Sequence, residues 1–266
     1  MLYFVATPIG NLKDISFRAI ETLKSVDEIA CEDTRHSLTF LNAYEIKKPL
    51  FSYHKFNERE VGEKIIEKLK QGKNIAVISD AGMPVISDPG SVLVNMLIES
   101  GIEYTVIPGA NAFLTALVLS GLNAERFAFL GFLPEKLKDR TELLEKYKKL
   151  DMTLGFYSAP HDVKKDIAFF YSVLGDRKAV AVKEITKLHE RVESFSLKDG
   201  LKSEPKGEYV ILVEGFNPKT EIENMTELEH INKYLSLGYD KKEAIKIVAK
   251  ERGVPKSSLY KYTIEK

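Results

Sequence analysis

Four stretches of this 266-residue chain put chemistry-bearing side chains beside turn-forming residues. Thr7-Pro8-Ile9-Gly10-Asn11-Leu12 follows an opening apolar run; Pro8 and Gly10 set a tight turn, and Asn11 can donate and accept hydrogen bonds at once. Ser79-Asp80-Ala81-Gly82-Met83-Pro84-Val85-Ile86-Ser87-Asp88-Pro89-Gly90 follows a second apolar run. Its small residues let backbone groups approach a ligand closely, and Asp80 and Asp88 supply acceptors without positive charge. It lacks both the Walker pattern and G-x-G-x-x-G, so a nucleoside triphosphate is a poor fit. Ile107-Pro108-Gly109-Ala110-Asn111-Ala112 is a third junction of strand, tight turn and helix. The fourth stretch, Glu32-Asp33-Thr34-Arg35-His36, crowds four ionisable groups into five residues, a setting for shifted pKa values and acid–base work. A solvated, self-paired run of charge is the competing reading there. His54, after Ser52-Tyr53, falls on the same edge, whereas His36, His54, His161 and His189 have no metal-ligand spacing, so no metal is expected.

Such loops act together only if strands aim them at one place. Up to residue 121, short β-branched runs alternate with amphipathic stretches, the pattern of βαβ units in a mainly parallel sheet. Strands are predicted at 2–6, 28–31, 50–53, 74–79 and 104–107, with helices at 16–24, 58–71, 92–100 and 112–119. In an open sheet of this kind ligands bind outside the carboxyl ends of the strands, where all four stretches fall. A second α/β domain is expected over 122–215, with strands at 127–131, 153–157, 179–182, 191–196 and 208–213 and helices at 135–150 and 162–174. Its later strands have no helix between them, so part of that sheet should be antiparallel. A helical tail, 216–266, is read as helices at 221–237, 240–252 and 256–262, resembling a helix-turn-helix, with Asp240 as N-cap, Glu243 at the capping-box position and Gly253 as the stop.

Hydrophobic residues at 44 % and charged residues at 29 % describe a globular chain with a real core. The apolar stretch 110–121 is too short to span a bilayer, and Met1 leads directly into Leu2-Tyr3-Phe4-Val5 with no basic segment before it, so a cytoplasmic location is expected. A lone Cys31 excludes an intramolecular disulfide. Net charge is zero, but residues 1–120 hold 12 basic and 15 acidic side chains while 240–266 hold 8 basic and 4 acidic, so a polyanion would meet the tail first.

Taken together and in order, Thr7 to Leu12, Glu32 to His36, Ser52-Tyr53-His54, Ser79 to Gly82 with Ser87 to Gly90, and Glu184-Ile185-Thr186-Lys187-Leu188-His189-Glu190 resemble the bacterial 16S ribosomal RNA (cytidine-2′-O)-methyltransferase family. That family is a branch of the tetrapyrrole methylase-like superfamily, the class III S-adenosylmethionine methyltransferases. The resemblance covers the whole chain. It implies two α/β domains with S-adenosyl-L-methionine in the cleft between them, a homodimer, and methylation of a cytidine ribose 2′-hydroxyl in the decoding region of 16S rRNA in the small subunit. By similarity, Pro8, Asp80, Ala81, Gly82, Val85, Asn111 and Ala112 would touch the cofactor from the first domain, and Ser158 and Thr186 from the second. Asp33, with Arg35, stands where related methylases place an acidic catalytic residue, and His54 would relay its proton. Two departures lie close by: Tyr157-Ser158-Ala159-Pro160-His161-Asp162 stands where the family usually carries an acidic and a basic residue around the strand end, and Ala110-Asn111 stands where Pro-Ser is common.

A sulfonium methyl is already electrophilic, so such an enzyme works mainly by alignment and exclusion of water. Arg35, Arg59 or Lys187 could hold a neighbouring phosphate, and Lys136, Lys138, Arg140, Lys146, Lys148 and Lys149 with the tail lysines are the candidate RNA patches. Two rival readings share the fold: a methyltransferase for a tetrapyrrole or other small molecule, and a non-catalytic RNA-binding assembly factor.

Overall fold

The computed structural model describes residues 1–217, 222 and 225–262. Two compact units are present: residues 1–148 with 152–214, and residues 149–151 with 215–266. Among the described residues no helix is long and apolar enough to cross a membrane.

The first unit holds two five-stranded sheets. Strands β1 (Leu2–Val5), β2 (Glu28–Cys31), β3 (Leu50–Ser52), β4 (Ile75–Ile78) and β5 (Tyr104–Ile107) run in the order β3-β2-β4-β1-β5, all parallel. Period-two alternation buries both faces. Leu2, Phe4, Ile75 and Val77 pack with Ile65 and Leu69 of α3 (Glu58–Lys70) and Leu93 and Leu97 of α4 (Ser91–Glu99). Val5, Ile29, Ala76 and Ile78 pack oppositely with Ala19 and Leu23 of α1 (Phe17–Ser25) and Leu41 of α2 (Thr34–Ala43). Each such side chain contributes roughly 1.5–3 kcal/mol when fully buried.

Helix α2 was not expected from the sequence, where Thr34-Arg35-His36 read as a loop. Asp33 is its N-cap, accepting from Arg35 N at 2.8 Å. Only Ser37 and Leu41 of the helix are buried, so it carries almost no apolar period to read.

In the second sheet, β6 (Phe127–Phe132), β7 (Thr153–Ser158), β8 (Lys178–Lys183), β9 (Arg191–Ser196) and β10 (Tyr209–Val213) take the order β6-β7-β10-β8-β9. The β6–β7 pair is parallel and the others antiparallel, the mixture that the missing helices required. Helices α6 (Leu137–Tyr147) and α7 (Val163–Leu174) cover one face through Leu144, Ile167 and Phe170. The other face is covered by α5 (Ala112–Ser120), which presents Phe113, Ala116 and Leu117 to Val180, Val182 and Val210. A Cβ on Gly155 of β7 would fall 2.1 Å from the Phe113 ring, so that strand can pass the helix only with glycine there. Helix α5 thus follows a strand of the first sheet in sequence but packs on the second, across the domain boundary expected at 121/122.

Arg177, buried beside β8, donates to the carbonyls of Lys148 and Glu214, the last residues of the first unit at its two exits.

The second unit contains α8 (Glu227–Ser236), α9 (Lys241–Arg252), α10 (Lys256–Leu259) and a 3₁₀ turn, Tyr260–Tyr262. The expected helix start at Glu221 lies outside the described residues; α8 begins at a capping box between Thr226 and Glu229. Asp240 caps α9 by accepting from Lys242 N and Glu243 N, and Gly253 ends it in the left-handed conformation. Ile231, Ile245, Val248 and Leu259 form its core. His230, 1 % exposed, accepts at Nδ1 from Arg252 Nε (3.1 Å), which leaves its Nε2 proton for Glu251 at 2.9 Å. Burial holds the imidazole below its ordinary value of 6.5, opposed by Glu251. A pKa lowered in the folded state keeps its full benefit above 6.5 and loses it as pH falls below that value. Backbone amides of 227–252 should therefore exchange hydrogen faster, corrected for intrinsic rate, at pH 5 than at pH 7.5, and His230→Gln should flatten that difference.

Candidate active site

At the carboxyl edge of the parallel sheet the loops after β1 and β4 are joined by a backbone bridge. Thr7 N donates to Gly82 O at 2.9 Å and Gly82 N to Thr7 O at 3.1 Å, while Thr7 Oγ1 donates to Ser79 O. The same first loop reaches the turn after β8: a Cβ on Gly10 would lie 2.9 Å from the Ile185 carbonyl oxygen and 2.8 Å from Thr186 Oγ1. Between these loops and the second sheet lies a cavity of about 470 Å³. Its walls include Ile9, residues 80–83 and 86–88, and Asn111-Ala112 on one side, and Phe132, residues 157–160, Ile185 and residues 208–210 on the other.

The structure gathers six of the nine expected cofactor residues here: Asp80, Ala81, Gly82, Asn111, Ala112 and Ser158. Asn111 caps α5 by accepting from Leu114 N at 2.9 Å. Ser158 donates its hydroxyl to Asp166 at 2.6 Å, so toward a ligand it can only accept. Pro8 is buried and leaves the wall to its neighbour Ile9. Val85 packs into the core under the first sheet instead of lining the cavity. Thr186 sits one residue behind Ile185, and its buried Oγ1 has no hydrogen-bond partner.

Asp33, Arg35 and His54 are not in the cavity wall. Asp33 is bound to Arg35 through both backbone and side chain, with 3.2 Å between the charged groups, and the Arg35 side chain is 91 % exposed. Those hydrogen bonds hold the Asp33 carboxyl below its usual range, which makes it a weak base. Asp33 N does reach Asp80 Oδ1 at 3.4 Å, so the pair adjoins the site. His54 N donates to Asn57 and its ring meets Phe56 edge-on.

The sequence offered Asp88 as an acceptor in its loop but gave it no role among the cofactor or catalytic residues, and it gave none to Tyr157 or Glu208. The charged residues of the wall are Asp80, Asp88 and Glu208, with no lysine, arginine or histidine among them. Burial, then the charges of Glu32 and Asp80, push Asp88 up to about 6. Burial and then Asp80 raise Glu32; burial and then Asp88 raise Tyr157. Backbone strain gathers at the same place: Val85, Ser87, Glu184 and Thr186 have φ between +50° and +76°, four of the five such non-glycine residues described. A cavity with apolar walls and only carboxylate charge suits a ligand with an apolar body and a positive charge, and its volume suits a small molecule.

The family model described as Tetrapyrrole (Corrin/Porphyrin) Methylases matches residues 1–199. Among solved structures, diphthine synthase superposes with a TM-score of 0.66 at 17 % identity, covering 81 % of this chain and 90 % of that one. The uroporphyrin-III-C-methyltransferase of Thermus thermophilus gives 0.55 at 16 % identity, covering 79 % and 93 %. The chain belongs to the tetrapyrrole methylase family, and it is a methyltransferase. Within that family it is similar over nearly its whole length to proteins named ribosomal RNA small subunit methyltransferase I: 45 % identical to that of Halalkalibacterium halodurans, covering 97 % of this chain and 93 % of that protein, and 44 % identical to that of Bacillus subtilis, covering 98 % and 92 %.

The close approach of Gly10 to the turn after β8 is testable. Gly10→Ala should destabilise the fold by roughly 1–3 kcal/mol in urea titration, because the added methyl meets backbone. Gly72→Ala, whose Cβ has nothing within 4 Å, tests the positive-φ penalty alone and should cost less.

Proposed function

We propose that this chain transfers the methyl group of S-adenosyl-L-methionine to the ribose 2′-hydroxyl of a cytidine in the decoding region of 16S rRNA. The observation that carries the donor's identity is the cavity wall whose charged groups are all carboxylates, matched to a cation. The relatives' name supports the substrate.

When bound, S-adenosylmethionine supplies an electrophilic methyl on a sulfonium. Asp80 compensates its positive charge, the 80–82 and 111–112 turns offer backbone groups, and Ile9, Phe132 and Ile185 keep water from the reacting centre. Pro8, Val85 and Thr186 hold these loops in place from behind. RNA phosphates meet Arg35, Lys55 and Arg59, exposed along the edge of strands β2 and β3. Phe56, 94 % exposed beside them, offers a face on which a base can stack. The α6 patch contributes less than its composition suggested: Lys138 and Lys148 pair with Glu142 and Glu145, and Arg140 binds Pro134 O and lies over Phe169. A homodimer belongs to the same proposal, because Leu114 and Val118, four residues apart on α5, are exposed apolar side chains that a second copy would cover. Action on the small subunit places the protein in the cytoplasm.

Labelled methyl transfer to undermethylated small subunits, with naked rRNA and tetrapyrroles as controls, tests the reading. Label on the ribose of one cytidine is the expected result; label on a tetrapyrrole alone would favour the small-molecule reading. Calorimetry with S-adenosylmethionine should give one site per chain, weakened roughly 10–100-fold by Asp80→Asn. No binding heat in the wild type would favour an assembly factor. Light scattering should give twice the mass of one chain.

A further inference from the structure

We propose that Asp88 is the proton acceptor for the attacking hydroxyl, a role that rests on the methyl donor binding in this cavity. The other carboxylates of the neighbourhood are engaged, exposed or outside the wall. Asp33 is outside the wall and fastened to Arg35. Asp80 is exposed and accepts from Asp33 N. Glu208 is 82 % exposed and pairs with Lys187 at 3.0 Å. Glu32, just after β2, is not among the wall residues. Asp88 alone combines a place in the wall, partial burial and a carboxylate to which no described residue donates a hydrogen bond.

Its surroundings favour the protonated product of the step. The groups that face it are Glu32 beyond β2, Asp80 beyond β4 and Tyr157 on β7, two acids and a phenol. Glu58 of α3 is occupied by Gly90 N, two residues further along. No cation among the described wall residues competes for the charge. In the reaction the hydroxyl oxygen bonds to the methyl carbon, the carbon–sulfur bond breaks with its electron pair left on sulfur, and the hydroxyl proton moves to an Asp88 oxygen. One positive and one negative charge disappear together, so the step removes the like-charge crowding around Asp88. A carboxyl titrating near 6 is charged and ready at neutral pH and more basic than an ordinary aspartate.

The test compares the full-length wild type with Asp88→Asn. On undermethylated small subunits the variant should lose roughly 10²–10⁴-fold in kcat with little change in KM. The wild-type acid limb near pH 6 should vanish in it. Calorimetry should find S-adenosylmethionine bound within about tenfold of wild type, since a charge is lost but no direct hydrogen bond. A third measurement is independent of turnover. A carboxyl raised in the folded state destabilises the fold above its unfolded value of 3.8, increasingly up to about 6, so Asp88→Asn should melt higher than wild type at pH 8 and equally at pH 4. Turnover within about threefold of wild type, an unchanged acid limb, or loss of donor binding along with activity would each overturn the proposal. A wild type that binds donor but labels no subunit would instead overturn the reading beneath it.

Discussion

Two backbone hydrogen bonds between Thr7 and Gly82 join loops that leave adjacent strands β1 and β4 of one parallel sheet. Parallel strands ordinarily release their loops independently, because each turns away into its own crossover helix. Here the exchange extends the ladder beyond the strands and stops the loops from separating. Gly10, three residues later, then brings the first loop against the turn after β8. One short segment is thus bonded to one wall of the cavity and packed closely on the other, where the Lys187 and Thr186 side chains and the Ile185 carbonyl leave no room for a side chain at position 10.

The cavity so defined is neither relaxed nor neutral. Val85 and Thr186 are β-branched residues in a left-handed backbone conformation, an arrangement costing on the order of 1–3 kcal/mol each and sustained only by surrounding structure. Asp80, Asp88 and Glu32 crowd like charge at the ends of β2 and β4, with burial raising two of the three. Asp166, behind the Ser158 wall, is also raised by burial, but it has partners that Asp88 lacks: Ser158 donates to it and Arg140 lies 4.0 Å away. Stability given up at one place, beside an opening large enough for a ligand, marks chemistry instead of architecture.

Much of this was legible in the chain. Alternating runs gave the parallel sheet and its edge, because each strand and helix carries its own apolar period, and the turns after β1, β4 and β5 announced themselves by proline, glycine and small residues. Of the far wall only Ser158 was expected, and only through the resemblance. Tyr157 and Glu208 sit at strand ends whose residue types mark no role for them, and they come to one cavity because β10 is inserted antiparallel between β7 and β8. Side-chain direction was equally hidden: Val85 turns into the core because its backbone is left-handed, and Asp33 spends its carboxylate on capping a helix too polar to detect. Asp88 was visible as an acceptor, but its isolation from donors is a tertiary property.

The one-signed lining also bears on how a catalytic cycle would end. A methyl donor carries a net positive charge that disappears with the methyl, leaving a neutral thioether of almost the same shape. Walls bearing Asp80, Asp88 and Glu208 attract the first and are indifferent to the second. On the proposed reading the electrostatics that load the enzyme therefore also favour departure of the spent donor, and the same pocket resists inhibition by its own by-product.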